Sequence, residues 1–310
     1  MKIIVTGSLG NISKPLAIEL VKKGHSVTVI SSKPEKKKDI EALGATAAIG
    51  SMEDVDFLTK TFAGADAVYA MIPLTFTAPD LWEYMHTIAK NYLQALKLTD
   101  IKRVVVLSGW TADLVKSENV EGVFNELSAA TVTYLRPASF YSNFYNSIDM
   151  IKGKGVIGMF LTLRYSGLWA LLTGKTGLLL GNAGGDDRTV FVSPLDIADA
   201  AAEELVTAAT EKIKIRYVGS EEMTFNEAAK IIGSAVGKPW LKWVLLSDKQ
   251  MLQGLKMAKL PQKLAESLVE MQSIMHSGVP LKNYHKNNPK PGKVKLKDFA
   301  KEFASVYNQK

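Results

Sequence analysis

The sequence predicts an α/β fold, a doubly wound parallel sheet followed by a small, partly helical C-terminal lobe. Three observations carry that expectation. The first is a βαβ unit at the N-terminus: residues 2–6 (KIIVT), a glycine turn over 7–13, a helix-like segment, then residues 25–33 (HSVTVISSK). The second is that short β-branched runs keep alternating with helical patterns as far as Pro137, as in parallel sheets covered on both faces. The third is length, since 310 residues bury a large core in one domain or in a domain with a lobe.

Each element has a local reason. Ser13 is placed to cap the first helix, Pro15 stands where a first turn tolerates it, and Gly24 stops the helix before the second strand. The third strand is expected at Thr46–Ile49 and the fourth at 66–71 (DAVYAM), ending at Ile72 and Pro73. An amphipathic segment over 80–98 leads to the fifth strand, 103–109 (RVVVLSG). A helix around 119–128 precedes the sixth, Thr131–Pro137 (TVTYLRP). Beyond an apolar stretch over 156–181, helices are expected at 222–236, 248–258, 261–276 and 297–307, with a Trp-rich strand at 240–246. Residues 283–293 read as a Pro/Lys/Asn linker, in a tail whose lysines suggest a solvated face or an acidic partner. The domain reading is a dinucleotide-binding core over 1–155, then 156–310 as insert, remaining core elements and substrate lobe, interleaved as one compact unit.

The N-terminal turn points to a ligand. Gly7 and Gly10 let a backbone approach a pyrophosphate, and the helix N-terminus behind them, at Asn11 and Ile12, favours its charge. Position strengthens this Rossmann-type reading over a turn that serves packing alone, because the glycines lie between a strand and a helix. The third position of the fingerprint holds Ser13 instead of glycine. After the second strand, Ser31, Ser32 and Lys33 stand where an acidic residue would bind an unphosphorylated ribose, with Lys36, Lys37 and Lys38 following. Hydroxyls and ammonium groups suit a phosphate monoester, so NADP(H) is expected in preference to NAD(H). The alternative is that these lysines form the solvated face of the next helix, beside Glu35, Asp39 and Glu41. In parallel sheets ligands lie beyond the carboxyl ends of the strands, which adds Met71, Ile72, Pro73, Ser108, Gly109 and the segment 137–143 to the rim.

Composition excludes several classes. The chain has no cysteine, hence no disulfide, thiolate metal site or thiol nucleophile, which fits a reducing cytoplasm. The N-terminus reads as a strand and not as a signal peptide. The apolar stretch over 156–180 is broken by Arg164, Lys175 and glycines, so no membrane span is expected. The net charge is +7, but the lysines are scattered and no nucleic-acid-binding motif is present, so direct nucleic-acid binding is not expected. His25, His86, His276 and His285 have no metal-ligand spacing, and no metal is expected. Arg136, before Pro137, is read as the partner of a carboxylate or of a phosphate, and Asp196 as a helix cap.

Several segments together resemble the NmrA-like family, a branch of the atypical short-chain dehydrogenase/reductases that includes type 2 NADPH:quinone oxidoreductases. They are VTGSLGNIS (5–13), GADAVYAMIP (64–73), VVVLSG (104–109), NELSAATVTYLRPASFYSN (125–143), FVSPLDIADAAAEEL (191–205) and YVGSEEMTFNEAAKIIGSAVGK (217–238), in family order from residue 2 to about 278. The resemblance implies a Rossmann-type domain with a small C-terminal lobe over the nicotinamide end of the cofactor. Short-chain reductases commonly carry Tyr-x-x-x-Lys on the helix before the sixth strand, and 117–126 (SENVEGVFNE) holds neither residue. Ser51 stands where many relatives have an aspartate, which puts one adenine contact in doubt.

Hydride transfer to a quinone survives that loss. The product is a hydroquinone anion that water protonates, whereas a ketone leaves a basic alkoxide that needs an acid. Rate then comes from holding nicotinamide and acceptor in near-attack geometry. The expectation is an NADPH-dependent reductase of quinones or similar conjugated acceptors; the alternative is a non-catalytic NADP(H)-binding redox sensor that signals to a protein partner. Tyr141 and Tyr145 are the candidate acids, against the reading that they form an aromatic wall or core with Phe140 and Phe144. Phe140, Tyr141 and Asn143 are the candidate substrate-pocket residues, with a turn role open for Asn143. The apolar stretch is read as pocket lining, with a homodimer interface or ordinary core as alternatives.

Overall fold

The computed structural model describes residues 1–73, 78, 80–115, 120–154, 164–168, 170 and 172–309. The chain divides into two units, Met1–Pro137 with Pro194–Val218, and Ala138–Ser193 with Gly219–Lys310. The boundary read at residue 155 falls inside the second unit. The reason is local: after Pro137 the chain enters a short strand that pairs with residues 191–192, outside the main sheet.

In chain order the strands are β1 (Lys2–Val5), β2 (Ser26–Ser31), β3 (Thr46–Ile49), β4 (Ala67–Ala70), β5 (Arg103–Leu107), β6 (Thr131–Pro137), β7 (Ser139–Phe140), β8 (Leu179–Gly181), β9 (Arg188–Val192), β10 (Ile213–Val218), β11 (Glu221–Thr224) and β12 (Trp243–Leu245). The first unit carries helices α1 (Ser13–Lys22), α2 (Lys37–Glu41), α3 (Val55–Phe62), α4 (Leu81–Lys97), α5 (Glu121–Phe124) and, after the excursion into the second unit, Pro194–Val206. Its sheet runs β3-β2-β1-β4-β5-β6-β10, and every pairing is parallel. The chain builds outward from β1 to β3, then returns to lay β4 on the other side of β1. The doubly wound α/β fold expected from sequence is what the structure shows, and its topological switch lies between β1 and β4.

Period-two burial explains the layers. Ile4, Val68, Val104, Val106, Val132 and Tyr134 face a cluster closed by Leu58 and Phe62 of α3 and Ile88, Tyr92 and Leu96 of α4. The strands are buried on both faces, as all-parallel sheets require. On α4, Asp80 accepts hydrogen bonds from the N–H groups of Trp82 and Glu83, a charged cap on the helix predicted over 80–98.

The edge strand β10 was not legible in advance, and its alternation of Ile213, Lys214, Ile215 and Arg216 explains its place. Glu204, buried on the helix Pro194–Val206, accepts from Lys214 Nζ at 2.7 Å and from Arg216 Nη1 at 2.8 Å. Burial pushes the Glu204 carboxyl up, but hydrogen bonds and charge from the two cations outweigh it and hold it below its ordinary value of 4.5. A depressed folded-state pKa stabilises the fold above the unfolded value and loses that stabilisation as pH falls through the folded value. Glu204→Gln is therefore expected to flatten the decline of the urea midpoint below pH 4.5 relative to wild type. An unchanged acid limb would refute this.

The second unit has its own core. It holds α6 (Ile148–Lys152), and α7, the number given to Pro194–Val206 of the first unit, is followed here by α8 (Phe225–Ala235), α9 (Asp248–Met257), α10 (Gln262–His276), α11 (Val279–Lys286) and α12 (Leu296–Gln309). Strand β9 lies between β11, antiparallel, and β7, parallel, and β8 pairs with β12. Tyr141, Phe144, Phe191, Phe225, Phe299 and Phe303 pack at its centre. The helix expected over 222–236 is a strand, Glu221–Thr224, followed by α8 with a capping box between Thr224 and Glu227. The linker expected from 283 is helical as far as Lys286, because Pro280 and Tyr284 are buried and Pro stands in the first turn. Residues 156–163, 169 and 171 of the apolar stretch lie outside the described residues. No helix among the described residues is long and apolar enough to cross a membrane.

Candidate functional site

The site residues of the first unit lie on loops at the carboxyl ends of β1, β2, β4 and β5. The turn after β1 takes its shape from two residues in the left-handed region, Gly7 at φ +88° and Ser8 at φ +55°. Ser8 N–H donates to the Ile30 carbonyl and its hydroxyl to Ser31 Oγ at 2.9 Å, tying the turn to the end of β2. A Cβ on Gly7 would overlap the Met71 methyl and lie 2.7 Å from Ser13 Oγ. Gly10 N–H closes the turn onto the Gly7 carbonyl. Among the described residues no acceptor takes the N–H groups of Asn11 and Ile12, the first orphan donors of α1. Ile12 stands in the cap position without a side-chain cap bond.

Ser13 is not the cap expected from sequence. It is the first residue of α1, fully buried, and its hydroxyl donates to the Thr6 carbonyl at 2.7 Å. A small residue is needed there because helix and strand approach closely, the role that glycine has at this fingerprint position.

The loop after β4 is pinned by side chains that the sequence reading passed over. Thr6 Oγ1 accepts from Met71 N–H at 2.7 Å and donates to the Met71 carbonyl, which also accepts from Tyr92 Oη. This fixes the start of the segment Met71, Ile72, Pro73 beside the switch point. At the end of β2, Ser31 is buried, and its Oγ accepts from the N–H of Lys33 and from Ser8. Ser32 and Lys33 are exposed. Lys36 pairs with Asp39 and Lys37 with Glu41, so those two lysines belong to the solvated face of the next helix. Lys33 makes no ion pair among the described residues and stays available to an anion.

At the carboxyl ends of β5 and β6 lies a polar network that the sequence reading did not assemble. Ser108 Oγ donates to Glu121 Oε1 at 2.6 Å. Arg136 donates from Nε to Glu121 Oε1 at 2.9 Å and from Nη2 to Oε2 at 2.7 Å, a bidentate pair. Arg136 Nη1 lies 3.0 Å from Asp113 Oδ2 and donates to Tyr217 Oη at 3.1 Å. Of the two partners considered for Arg136, the structure shows the carboxylate. Burial alone would lower the Arg136 pKa; the hydrogen bonds and charge of Glu121, with Tyr217 and Asp113, raise it instead and keep the guanidinium charged. The signal in the sequence was a single one, an arginine inside an apolar strand that must be paired. Gly109, next to Ser108, is exposed.

The remaining candidates belong to the second unit. Tyr141 is fully buried against Phe191 and Phe299, and its hydroxyl donates to Glu221 Oε2 at 3.2 Å and lies 3.3 Å from the Val294 carbonyl. Tyr145 donates to Glu302 Oε1 at 2.9 Å and stacks on Phe303. Burial, then the hydrogen bond to Glu302, raises the Tyr145 pKa, away from what an acid at neutral pH needs. Tyr141 packs in the core, and Tyr145, half-buried, packs against it. Phe140 is half-buried in β7 and Asn143 is exposed. His276 pairs with Asp187 and His285 with Glu222. Among the described residues no group of three or more His, Cys, Asp or Glu could hold a metal ion.

Comparison with known proteins bears on the fold and on the class of cofactor. Residues 7–142 match the family described as NAD(P)H-binding. An uncharacterized oxidoreductase of Bacillus subtilis is 24% identical over 281 residues, 89% of this chain and 85% of that protein. An NAD(P)H azoreductase of Xenophilus azovorans is 21% identical over 280 residues, 88% and 86% of the two chains. Among solved structures, the Escherichia coli NADPH-dependent quinone oxidoreductase complexed with NADPH superposes with a TM-score of 0.72 at 20% identity, covering 97% of this chain and 99% of that one. The resemblance read from the sequence thus stands at the level of an NAD(P)H-binding family match and a shared fold with quinone-reductase neighbours.

Proposed function

We propose that the protein binds NADP(H) and reduces quinones or similar conjugated acceptors by hydride transfer. The observation that carries the cofactor is the turn from Gly7 to Ser13 at the switch point, where a left-handed backbone and the orphan N–H groups of Asn11 and Ile12 suit a pyrophosphate. In this reading the ring end of the cofactor lies toward Met71, Ile72, Pro73, Ser108 and Gly109, and Lys33 with Ser32 meets the 2′-phosphate.

When bound, the reduced nicotinamide supplies the hydride. Two electrons and one proton would pass together as hydride to the quinone, and a second proton, from water, would complete the hydroquinone. What the chain does is bind and orient. Ser108 has its proton committed to Glu121 and the phenols of Tyr141 and Tyr145 are engaged by carboxylates, which supports an acceptor whose product needs no positioned acid. The azo and quinone acceptors named for the compared reductases are conjugated in the same sense.

The test is NADPH oxidation, followed by absorbance, with and without a panel of small quinones. Quinone-dependent turnover by wild type that collapses in Gly10→Trp establishes the reductase. Tight NADPH binding without turnover assigns a nucleotide sensor instead. For the cofactor, Lys33→Glu is expected to weaken NADPH binding about tenfold and leave NADH binding unchanged, the size of one charge-assisted hydrogen bond. Equal affinity of wild type for the two cofactors would overturn the NADP(H) preference.

A further inference from the structure

We infer that Glu121 and Arg136 are positioning residues that turn Ser108 into a hydrogen-bond acceptor for the carboxamide N–H of a bound nicotinamide, an inference that rests on the NAD(P)H reading above. A serine hydroxyl has one proton and two lone pairs. Here the proton is directed: Ser108 Oγ to Glu121 Oε1 is 2.6 Å, in the range of an O–H donor to an ionised carboxylate. Glu121 cannot turn away from Ser108. Both its oxygens are held by Arg136, and both side chains are less than a tenth exposed. Arg136 is fixed in turn by Asp113 and Tyr217, and the backbone of α5 by Tyr134, whose hydroxyl hydrogen-bonds the Glu121 carbonyl at 2.8 Å.

The oxygen of Ser108 is what is left to offer. Ser108 is half-buried at the carboxyl end of β5, one strand from the switch point, and no donor among the described residues reaches its Oγ. An oriented acceptor suits an N–H donor and rejects a carbonyl or oxyanion. On the nicotinamide half of the cofactor the carboxamide NH2 is a pure donor, whereas ribose hydroxyls both donate and accept and need no such orientation. Holding the amide selects which way the ring is turned, and that decides which ring face meets an acceptor. On the helix where the resemblance would put Tyr-x-x-x-Lys, Glu121 thus removes a proton donor and supplies an orienting group.

The experiment is a binding titration of NADPH and of its reduced acetylpyridine analogue, in which an acetyl group replaces the carboxamide and no N–H remains. Both are titrated into wild type, Ser108→Ala and Glu121→Gln, with melting curves in parallel. Wild type is expected to prefer NADPH about tenfold, the effect of one hydrogen bond left unmade. Ser108→Ala, which leaves the Glu121–Arg136 pair intact, is expected to melt close to wild type and bind the two ligands equally. Glu121→Gln is expected to lose part of the preference, since the serine proton is then free to turn. A preference unchanged in Ser108→Ala, or in a folded Glu121→Gln, overturns the inference while leaving the cofactor reading in place. A Ser108→Ala protein that loses affinity for both ligands equally assigns Ser108 to the ribose and overturns it as well. Failure of wild type to bind NADPH at all removes the cofactor reading first.

Discussion

Gly7→Ala is expected to lower stability by about 2–4 kcal/mol and cofactor affinity by more than about tenfold. Gly7 sits at φ +88°, where a side chain costs about 1–2 kcal/mol, and the added Cβ meets two neighbours. One of them, the Met71 methyl, is the far end of a flexible chain and can swing. The other, Ser13 Oγ at 2.7 Å, is held by the Thr6 carbonyl and cannot. The backbone must therefore move, and the N–H groups of Asn11 and Ile12 move with it. Gly10→Ala is the comparison for stability alone, because its Cβ would meet the Gly7 carbonyl at 3.2 Å without a left-handed φ, while Gly10 itself belongs to the pyrophosphate turn. Urea unfolding of both variants and NADPH titration of Gly7→Ala against wild type check this; a Gly7→Ala protein as stable as Gly10→Ala, or as tight as wild type, would refute it.

Glu121→Ala is expected to destabilise the first unit by about 3 kcal/mol, and Glu121→Leu combined with Arg136→Met to recover most of that loss. The single change leaves the Arg136 guanidinium buried beside Asp113 and Tyr217 alone, and Asp113 is far more exposed than Glu121. Breaking a buried pair on one side is costly, whereas an apolar pair of similar volume restores packing without desolvating a charge. Urea midpoints of the three proteins decide it. If the single variant is as stable as wild type, the pair has no structural role; if the double variant is as unstable as the single one, the loss is of shape and not of charge.

The double variant also separates stability from ligand orientation. It lacks the carboxylate that directs the Ser108 proton, so a protein that regains stability yet loses discrimination between carboxamide and acetyl rings places orientation in the charged pair itself. Such polar networks inside a core are high-stakes: satisfied, they define one arrangement, and half-satisfied they are worse than none.

How far the fold was legible varies by element. Strands β1 to β6 stand where β-branched runs ended in Gly, Pro or Ser, because strand pattern and turn chemistry are local properties. Strand β11 was read as the start of a helix, since Glu221, Glu222, Met223 and Thr224 carry no β-branched run; pairing with Arg188–Val192 makes it a strand. Residues 283–286 were read as linker because Lys, Asn and His dominate them, and burial of Tyr284 holds them in a helix instead. Ser13 was read as a cap from its residue type, but the distance to Thr6 gave its hydroxyl a different acceptor.

By itself the sequence determined the βαβ unit, the glycine turn behind β1, the hydroxyl and lysine loop after β2 and the absence of a Tyr-x-x-x-Lys pair. All of these are written within a few residues of chain, where φ preference, periodicity and side-chain chemistry act directly. Only the tertiary structure decided that Ile213–Val218 closes the sheet beside β6, that Thr6 and Tyr92 pin Met71, and that Glu121 takes both Ser108 and Arg136. Those pairings join residues far apart in the chain, or on different elements, through hydrogen-bond geometry that exists only once the sheet has brought their strand ends together.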